Sequence, residues 1–417
     1  MLFTGLLLCG VSSGYEFGLG APHGLVPAVS LKSDIRLVDT GDRIDGKKVY
    51  CIEGEETITD LNAPTVNQLG GMQKIKWNGT TEIELDNDVS NEDWYDYENK
   101  MWANGKLNGS YYVYIPRYAY KILDNQQKVD VKFITKDNEL LDGSNLPAGY
   151  KVHPAFTDGS ATHYTNGEWD TEISGIWVAK YEMSETATNI VSVPGQSSLR
   201  GLSISDMYIA SKDVNPLYSS HLVKNSEWGA VAYLAQSQYG LNDTEIETNV
   251  SSGYYTGGGY GTSYKTNLGQ STTGNIYGIY DMSGGAAEYV SSYLYYNKMP
   301  YANILNESMN RQYGTEFTTV YNCDTSGASD PKKNYNYNSS RYGQAIWETS
   351  EEGYENTSWY NDYSVFPNNY PLVPNMAFLT RGGNYANGDN AGLFCFSSFV
   401  GNGDSTISFR VTLCPLS

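Results

Sequence analysis

Apolar and polar positions alternate most cleanly over residues 110–122, SYYVYIPRYAYKI. This predicts a pair of strands with Pro116 at an edge or bulge, because proline cannot donate to a ladder. GIWVAKYEMS, residues 175–184, predicts another strand with Ile176, Val178 and Lys180 alternating. In KNSEWGAVAYLAQSQYGLN the period changes. Trp228, Val231, Ala232 and Ala235 recur at helical spacing, Ser226 is the expected N-cap, and Gly240 sits where a terminal glycine belongs. Residues 24–51 read as strands joined by turns at DTGD and DGKK. Nothing before them offers a core partner, so they read as the tail of a preceding domain. Glycines around 252–264 mark a long loop without the GxGxxG frame of a nucleotide site. Few helices, many short strands, long loops and no βαβ alternation predict an α+β fold.

Polar residues dominate 55–108, and ELDNDVSNEDWYDYENK carries Asp86, Asp88, Glu92, Asp93, Asp96 and Glu98. An EF-hand needs Gly and Glu at its sixth and twelfth positions, where Asn91 and Tyr97 stand, so the stretch reads as a solvated acidic linker. The expected organisation is an N-terminal β segment over 1–54, a linker over 55–105 and one domain over 106–417. A net charge of −20 excludes nucleic acid as a partner, since phosphate neutralisation needs an excess of Lys and Arg. The 37 tyrosines and 43 glycines match both adaptable binding surfaces and loop-rich folds. Five widely spaced cysteines form no CxxC; the odd count leaves at least one unpaired, and Cys395 and Cys414 are candidates to pair. The apolar run in MLFTGLLLCGVSSGYEFG is too short to span a bilayer and lacks a basic flank, and no other run reaches spanning length.

The most specific stretch is GNIYGIYDMSGGAAEYV, residues 274–290. Gly274, Asn275, Tyr277, Gly278, Tyr280, Asp281, Met282, Gly284, Glu288 and Tyr289 resemble the signature of the formylglycine-generating enzyme (sulfatase-modifying factor) superfamily. Gly285 stands where an Asn is usual. GIWVAKYEMS resembles that family's early strand, NSEWGAVAYLA its helix, and RGGNY…SFRVTL its closing segment. The resemblance covers about 170–413 and implies a C-type-lectin-like fold with short twisted antiparallel strands and long loops. Glu288 is expected to contact Arg381 or Arg410 in a structural role, because a bidentate Arg–carboxylate pair suits a loop-rich interior that must be pinned. Asp281 is expected to be a turn or cap residue.

The family's oxidising members use two cysteines after the RGG motif. Those positions fall on Asn387 and Gly392 here, and Cys395 stands alone. Iron-dependent relatives use histidines, but His23, His153, His163 and His221 lack HxxxH spacing, and no GxSxG elbow occurs. No catalytic residue and no cofactor are expected; the resemblance leaves room for structural calcium held by backbone carbonyls and Asp or Asn.

The expected function is a display module that binds a protein or glycan through 384–408. Its contacts are Asn384, Tyr385, Asn387, Asp389, Asn390, Phe394, Phe396, Ser397, Phe399, Asn402, Asp404 and Ser405. This layout resembles the variable region of proteins diversified by retroelements in phages and gut bacteria, which favours an extracellular, cell-surface or virion location. The second reading is an enzyme of the superfamily with a rearranged metal or thiol site. A third is a structural surface subunit that the domain decorates.

Overall fold

The computed structural model of the protein describes residues 36–44, 47–53, 64–123, 127–159, 167–186, 189–295, 317–322, 342–350, 357–365 and 378–415. The amino-terminal apolar run, His23 and His163 lie outside the described residues. The chain divides into two units, Met1–Leu61 and Asn62–Ser417. In the first, β1 (Arg36–Ile44) pairs antiparallel with β2 (Lys47–Glu53). DTGD is not a turn between strands. It lies inside β1, where the register shifts between Asp39 and Arg43, and such a bulge lets turn-prone residues sit within a ladder.

The second unit is α+β, with mostly antiparallel sheets and few helices. Its largest sheet runs β13 (His221–Leu222), β19 (Val411–Leu413), β10 (Gly175–Ala179), β6 (Ser110–Pro116), β5 (Asn104–Leu107), β3 (Gln73–Asn78), β4 (Thr81–Leu85). The expected strand pair at 110–122 is in fact two strands of different sheets. β6 ends at Pro116, and β7 (Tyr118–Leu123) pairs instead with β8 (Lys128–Phe133) and β9 (Lys151–Val152). β10 is buried on both faces between β6 and β19. Just beyond it, Lys180 is fully buried and donates to Asn104 Oδ1 (2.6 Å), Ile276 O (2.5 Å) and Gly278 O (2.9 Å). Three acceptors match the three donors of an ammonium group, which is what lets a lysine sit in the core.

The linker expected over 55–105 is not one from residue 64 onward. β3, β4 and β5 form one edge of the large sheet, and Met72, Ile75, Trp77, Trp94, Tyr95, Tyr97 and Trp102 are buried. The acidic side chains face outward, Glu82 and Glu84 toward Lys106 at 3.2 and 3.9 Å. The acidity there marks one face of a sheet edge, whose other face carries aromatic rings. Their polar ends reach backbone carbonyls: Trp94 Nε1 donates to Asn104 O, Trp102 Nε1 to Tyr239 O and Tyr95 Oη to Pro64 O. Rings with a polar tip can fill a core and staple the loops around it.

The short helix α1 (Asn91–Trp94) and helix α2 (Ile204–Val214) are capped by Ser90 and Ser203, whose hydroxyls accept from Asp93 N and Asp206 N. Helix α3 (Asn225–Ala235) is buried on every side. Its cap lies two residues before the expected one: Lys224 is the N-cap, its N–H donates to the Glu227 carboxylate (2.8 Å), and Ser226 Oγ donates to Gly167 O. Both Glu227 oxygens also meet His221 Nε2, while His221 Nδ1 meets Ser219 O.

The second sheet runs β15 (Thr319–Asn322), β14 (Ala287–Tyr295), β16 (Phe378–Gly382), β17 (Gly392–Phe399), with β18 (Ile407–Phe409) parallel to β14. A two-residue ladder joins β11 (Ser184–Glu185) to β12 (Ile190–Val191). Trp228 Nε1 of α3 donates to Leu393 O of β17 (2.8 Å), so the buried helix holds the strand that carries the C-terminal loops.

Candidate functional site

Both arginines of the closing segment are fully buried, and each pins different backbone. Arg410 makes the bidentate contact, Nη2 to Glu288 Oε1 (2.6 Å) and Nε to Oε2 (3.2 Å). It also donates to Ala179 O and Tyr280 O, and so ties β10, β14 and the 274–290 loop together. Among the described residues Arg381 meets no carboxylate. Its donors reach Asn225 Oδ1, Gln344 O, Ala345 O and Leu393 O.

Asp281 is buried in a left-handed turn (φ 63°) and accepts from Gly257 N (2.9 and 2.8 Å), Gly258 N (3.2 Å) and Asn249 Nδ2 (3.0 Å). The glycine-rich loop therefore wraps a carboxylate of its own chain. Gly257 and Gly258 lie at φ 68° and 78°, which glycine adopts without strain and which turns both amides toward one anion. Glu182 joins the same cluster. Burial raises Glu182, Asp281 and Glu288 alike, but Asp281 has amide donors and Glu288 has a guanidinium, and both favour the charged form. Glu182 Oε1 accepts from Ala286 N, whereas Oε2 is buried without a hydrogen-bond partner among the described residues; burial and the charges of Asp281 and Glu288 push Glu182 well above the usual carboxylate range.

On this frame four loops meet at the surface. Gly201 N donates to Asp404 O and Ile204 N to Gly401 O, fixing the 197–204 and 401–406 loops together. Thr248 Oγ1 donates to Gly388 O, fixing the 248–260 loop to the 384–390 turn. Arg200 stacks on the Tyr254 ring at 4.0 Å and donates to Ser405 O, and the Tyr254 and Tyr385 rings meet edge-on at 4.9 Å. Val250 and Tyr260 are 67% and 73% exposed on the same glycine-rich segment. Tyr254 itself has φ 54°, a conformation costly for a bulky residue, held by the contacts on both sides of its ring.

The expected contact residues fall into three groups. Asn387, Asp389, Asn390, Asn402 and Ser405 are exposed, and Asn384, Tyr385, Ser397, Phe399 and Asp404 are half-buried. Asn384 and Asn387 also cap the short 3-10 turn Tyr385–Asn390 reciprocally, and Asp404 Oδ1 accepts from Thr406 N and Oγ1. Phe394 and Phe396 are corrections: they are 1% and 0% exposed and belong to the core. Much of the irregular middle of the closing segment is strand β17, packed on both faces, so its aromatic residues meet Trp359, Tyr360 and Arg381 rather than solvent. Phe399 leans on Tyr289. Cys395 and Cys414 do not pair; both are buried thiols, and burial pushes Cys395 up to about 12 and Cys414 higher still, which leaves neither as a thiolate.

Sequence reasoning missed Arg200, Tyr254, Val250 and Tyr260. The tyrosines clustered among glycines at 254–260 were the available signal. Among the described residues no three His, Cys, Asp or Glu side chains converge to hold a metal ion, and no helix is long and apolar enough to cross a membrane. Comparison with protein-family models finds no match, and comparison with curated proteins finds none either.

Beneath the surface lies Asp362. Its Oδ2 accepts from Phe394 N (2.8 Å), its Oδ1 is buried without a partner, and burial raises it from 3.8 to about 8. A carboxyl raised on folding holds its proton more tightly in the native state. The stability it contributes is complete below about pH 4 and is lost as pH rises toward 8, by up to about 1.4 kcal/mol per pH unit. Urea denaturation from pH 6 to pH 9 is expected to show Asp362→Asn gaining on the wild type as pH rises. A constant gap between the two curves would show that Asp362 is ionised throughout.

Proposed function

We propose that Asn62–Ser417 is a C-type-lectin-like display module of the sulfatase-modifying-factor type that binds a protein or glycan at a cell or virion surface. The observation that carries this reading is the junction of Arg200, Tyr254 and Tyr385, where loops far apart in sequence are fixed to a buried frame. Amphipathic rings and short polar side chains on a rigid base lose little entropy on binding. The resemblance of residues 274–290, 381–383 and 408–413 to that superfamily supports the fold type. The thiol nearest the closing motif, Cys395, is buried and pushed up to about 12, which counts against thiol chemistry at that position.

A glycan and protein array probed with the full chain, with and without calcium, tests the reading. Any ligand captured is expected to lose about tenfold or more in affinity with Tyr254→Ala/Tyr385→Ala, since a central aromatic contact contributes on the order of 1–2 kcal/mol. The thermal midpoint of that variant should stay within a few degrees of wild type. Undiminished capture by the variant would place recognition elsewhere.

A further inference from the structure

We propose that Arg200 is a carboxylate-binding centre on this surface and that the ligand is an acidic glycan, its carboxylate on the guanidinium and its sugar rings on the neighbouring tyrosines. The inference rests on the recognition reading above and specifies its ligand. Arg200 is half-buried, whereas Arg117, Arg381 and Arg410 are 1%, 0% and 0% exposed, so among the described side chains it is the one guanidinium that a solute can reach. Its posture is fixed. Nε donates to Ser198 O (3.3 Å), Nη1 to Ser405 O and Nη2 to Ser197 Oγ (3.3 Å), and Cζ lies 4.0 Å from the centre of the Tyr254 ring. These bonds leave one free N–H on each terminal nitrogen, two donors for the two oxygens of a carboxylate.

In a chain with 47 acidic and 27 basic side chains, surface cations find carboxylates readily: Lys106 pairs with Glu82, Lys128 with Asp243 and Lys151 with Glu348. Arg200 pairs with none among the described residues. Asp404 is tied to the next residue by the Gly201 N–Asp404 O bond, yet its Oδ1 accepts from Thr406 N and Oγ1 instead. The fold braces Tyr254 against the guanidinium in a left-handed conformation (φ 54°), and strain of that kind persists where it positions a group for use. Two aromatic pairs connect to the cation. One is Tyr254 with Tyr385. The other follows from Ser197, which bridges to Tyr255, whose ring meets the 73% exposed Tyr260 edge-on at 5.1 Å. A sugar ring, with an apolar C–H face and a hydroxyl edge, suits a phenol with an apolar body and a polar tip. The net charge of −20 repels acidic proteins at long range, whereas a glycan can carry its carboxylate on an otherwise neutral body.

The test is a glycan array probed with the full chain, on which each uronate- or sialate-bearing glycan stands beside its methyl ester, followed by fluorescence anisotropy of the captured pair. The acid is expected to bind about tenfold or more tighter than the ester, the worth of charge-assisted hydrogen bonds. Arg200→Gln should bring acid and ester within about twofold of each other. Arg200→Lys, which keeps the charge and loses the fork, should recover only part of the preference. Lys121→Gln removes the same charge from an exposed position on β7 and should leave the preference intact, with circular dichroism confirming that all three variants fold. Equal binding of acid and ester by the wild type, an equal loss in Lys121→Gln, or capture of no carboxylated glycan would overturn the proposal. Capture of proteins alone, or of neutral glycans sensitive to Tyr254→Ala/Tyr385→Ala but not to Arg200→Gln, would overturn this inference and leave the recognition surface standing. A captured ligand sensitive to neither would remove the two together.

Discussion

Replacing Arg410 with methionine is expected to lower stability at neutral pH by about 3–5 kcal/mol, the usual cost of stranding a buried charge. Among the described residues the guanidinium is the only cation in hydrogen-bond contact with Glu288, and it also serves Ala179 O and Tyr280 O. Without it, Glu288 joins Asp281 and Glu182 as a third buried carboxyl, two carbonyls lose their donor, and the folded state must take up a proton. Glu288→Gln in the same background should recover part of the loss, because the amide is neutral and its NH2 can donate where the carboxylate could not. Urea denaturation of the two single variants and the double variant gives the coupling energy directly. By contrast, Arg200→Met, which removes a partly exposed guanidinium, should cost well under half as much. Equal losses for Arg410→Met and Arg200→Met would mean that the buried pair does not anchor the fold.

Gly229→Ala carries the second large effect, and two principles oppose each other there. In an isolated helix alanine is better than glycine by about 1 kcal/mol. Gly229, however, lies where a Cβ would come 2.0 Å from Gly343 O and 2.9 Å from Gln344 backbone atoms. Those atoms are main chain, and the Gln344 and Ala345 carbonyls beside them bond Arg381, so they cannot swing aside as a side chain tip would. Overpacking should therefore win, with a net loss of about 2 kcal/mol or more, read as a fall in the thermal midpoint. A rise in the midpoint would mean that the segment around Gly343 yields readily and that α3 is not clamped.

The motif-bearing parts of the chain were legible because their chemistry is local. Glu288, Arg410 and Asp281 could be assigned structural roles from charge type and turn context, and the existence of α3 was legible from its apolar spacing, although its cap lies two residues before Ser226 and its last residue, Ala235, falls well short of Gly240. The edge of the large sheet was not legible. Acidic residues on the outer face of 64–107 dominated its composition, while Trp77, Trp94 and Trp102, widely spaced, gave no period. Phe394 and Phe396 misled for a related reason: β17 is covered on both faces, so its pattern lacks the alternation that separates core from surface. Tyrosine content pointed toward a binding surface, yet Tyr95, Tyr97 and Tyr118 are buried and donate to backbone carbonyls at Pro64, Tyr114 and Ala230. Pro64 lies in a loop, whereas Tyr114 belongs to β6 and Ala230 to α3, so these hydroxyls tie core elements together as well as loops. Arg200 over Tyr254 could not be read at all, because the contact joins loops that only the fold brings together.

The central claim is that four loops, around 200, 254, 387 and 404, act as one recognition face on a fixed frame. Hydrogen exchange of the full chain with and without the ligand captured on the array tests it most directly. The account predicts that bound ligand slows exchange together over 198–203, 248–260, 384–390 and 401–406, while β10, β14 and α3 exchange slowly in both states. Protection confined to the opposite edge of the large sheet, at β3 and β4, would contradict it.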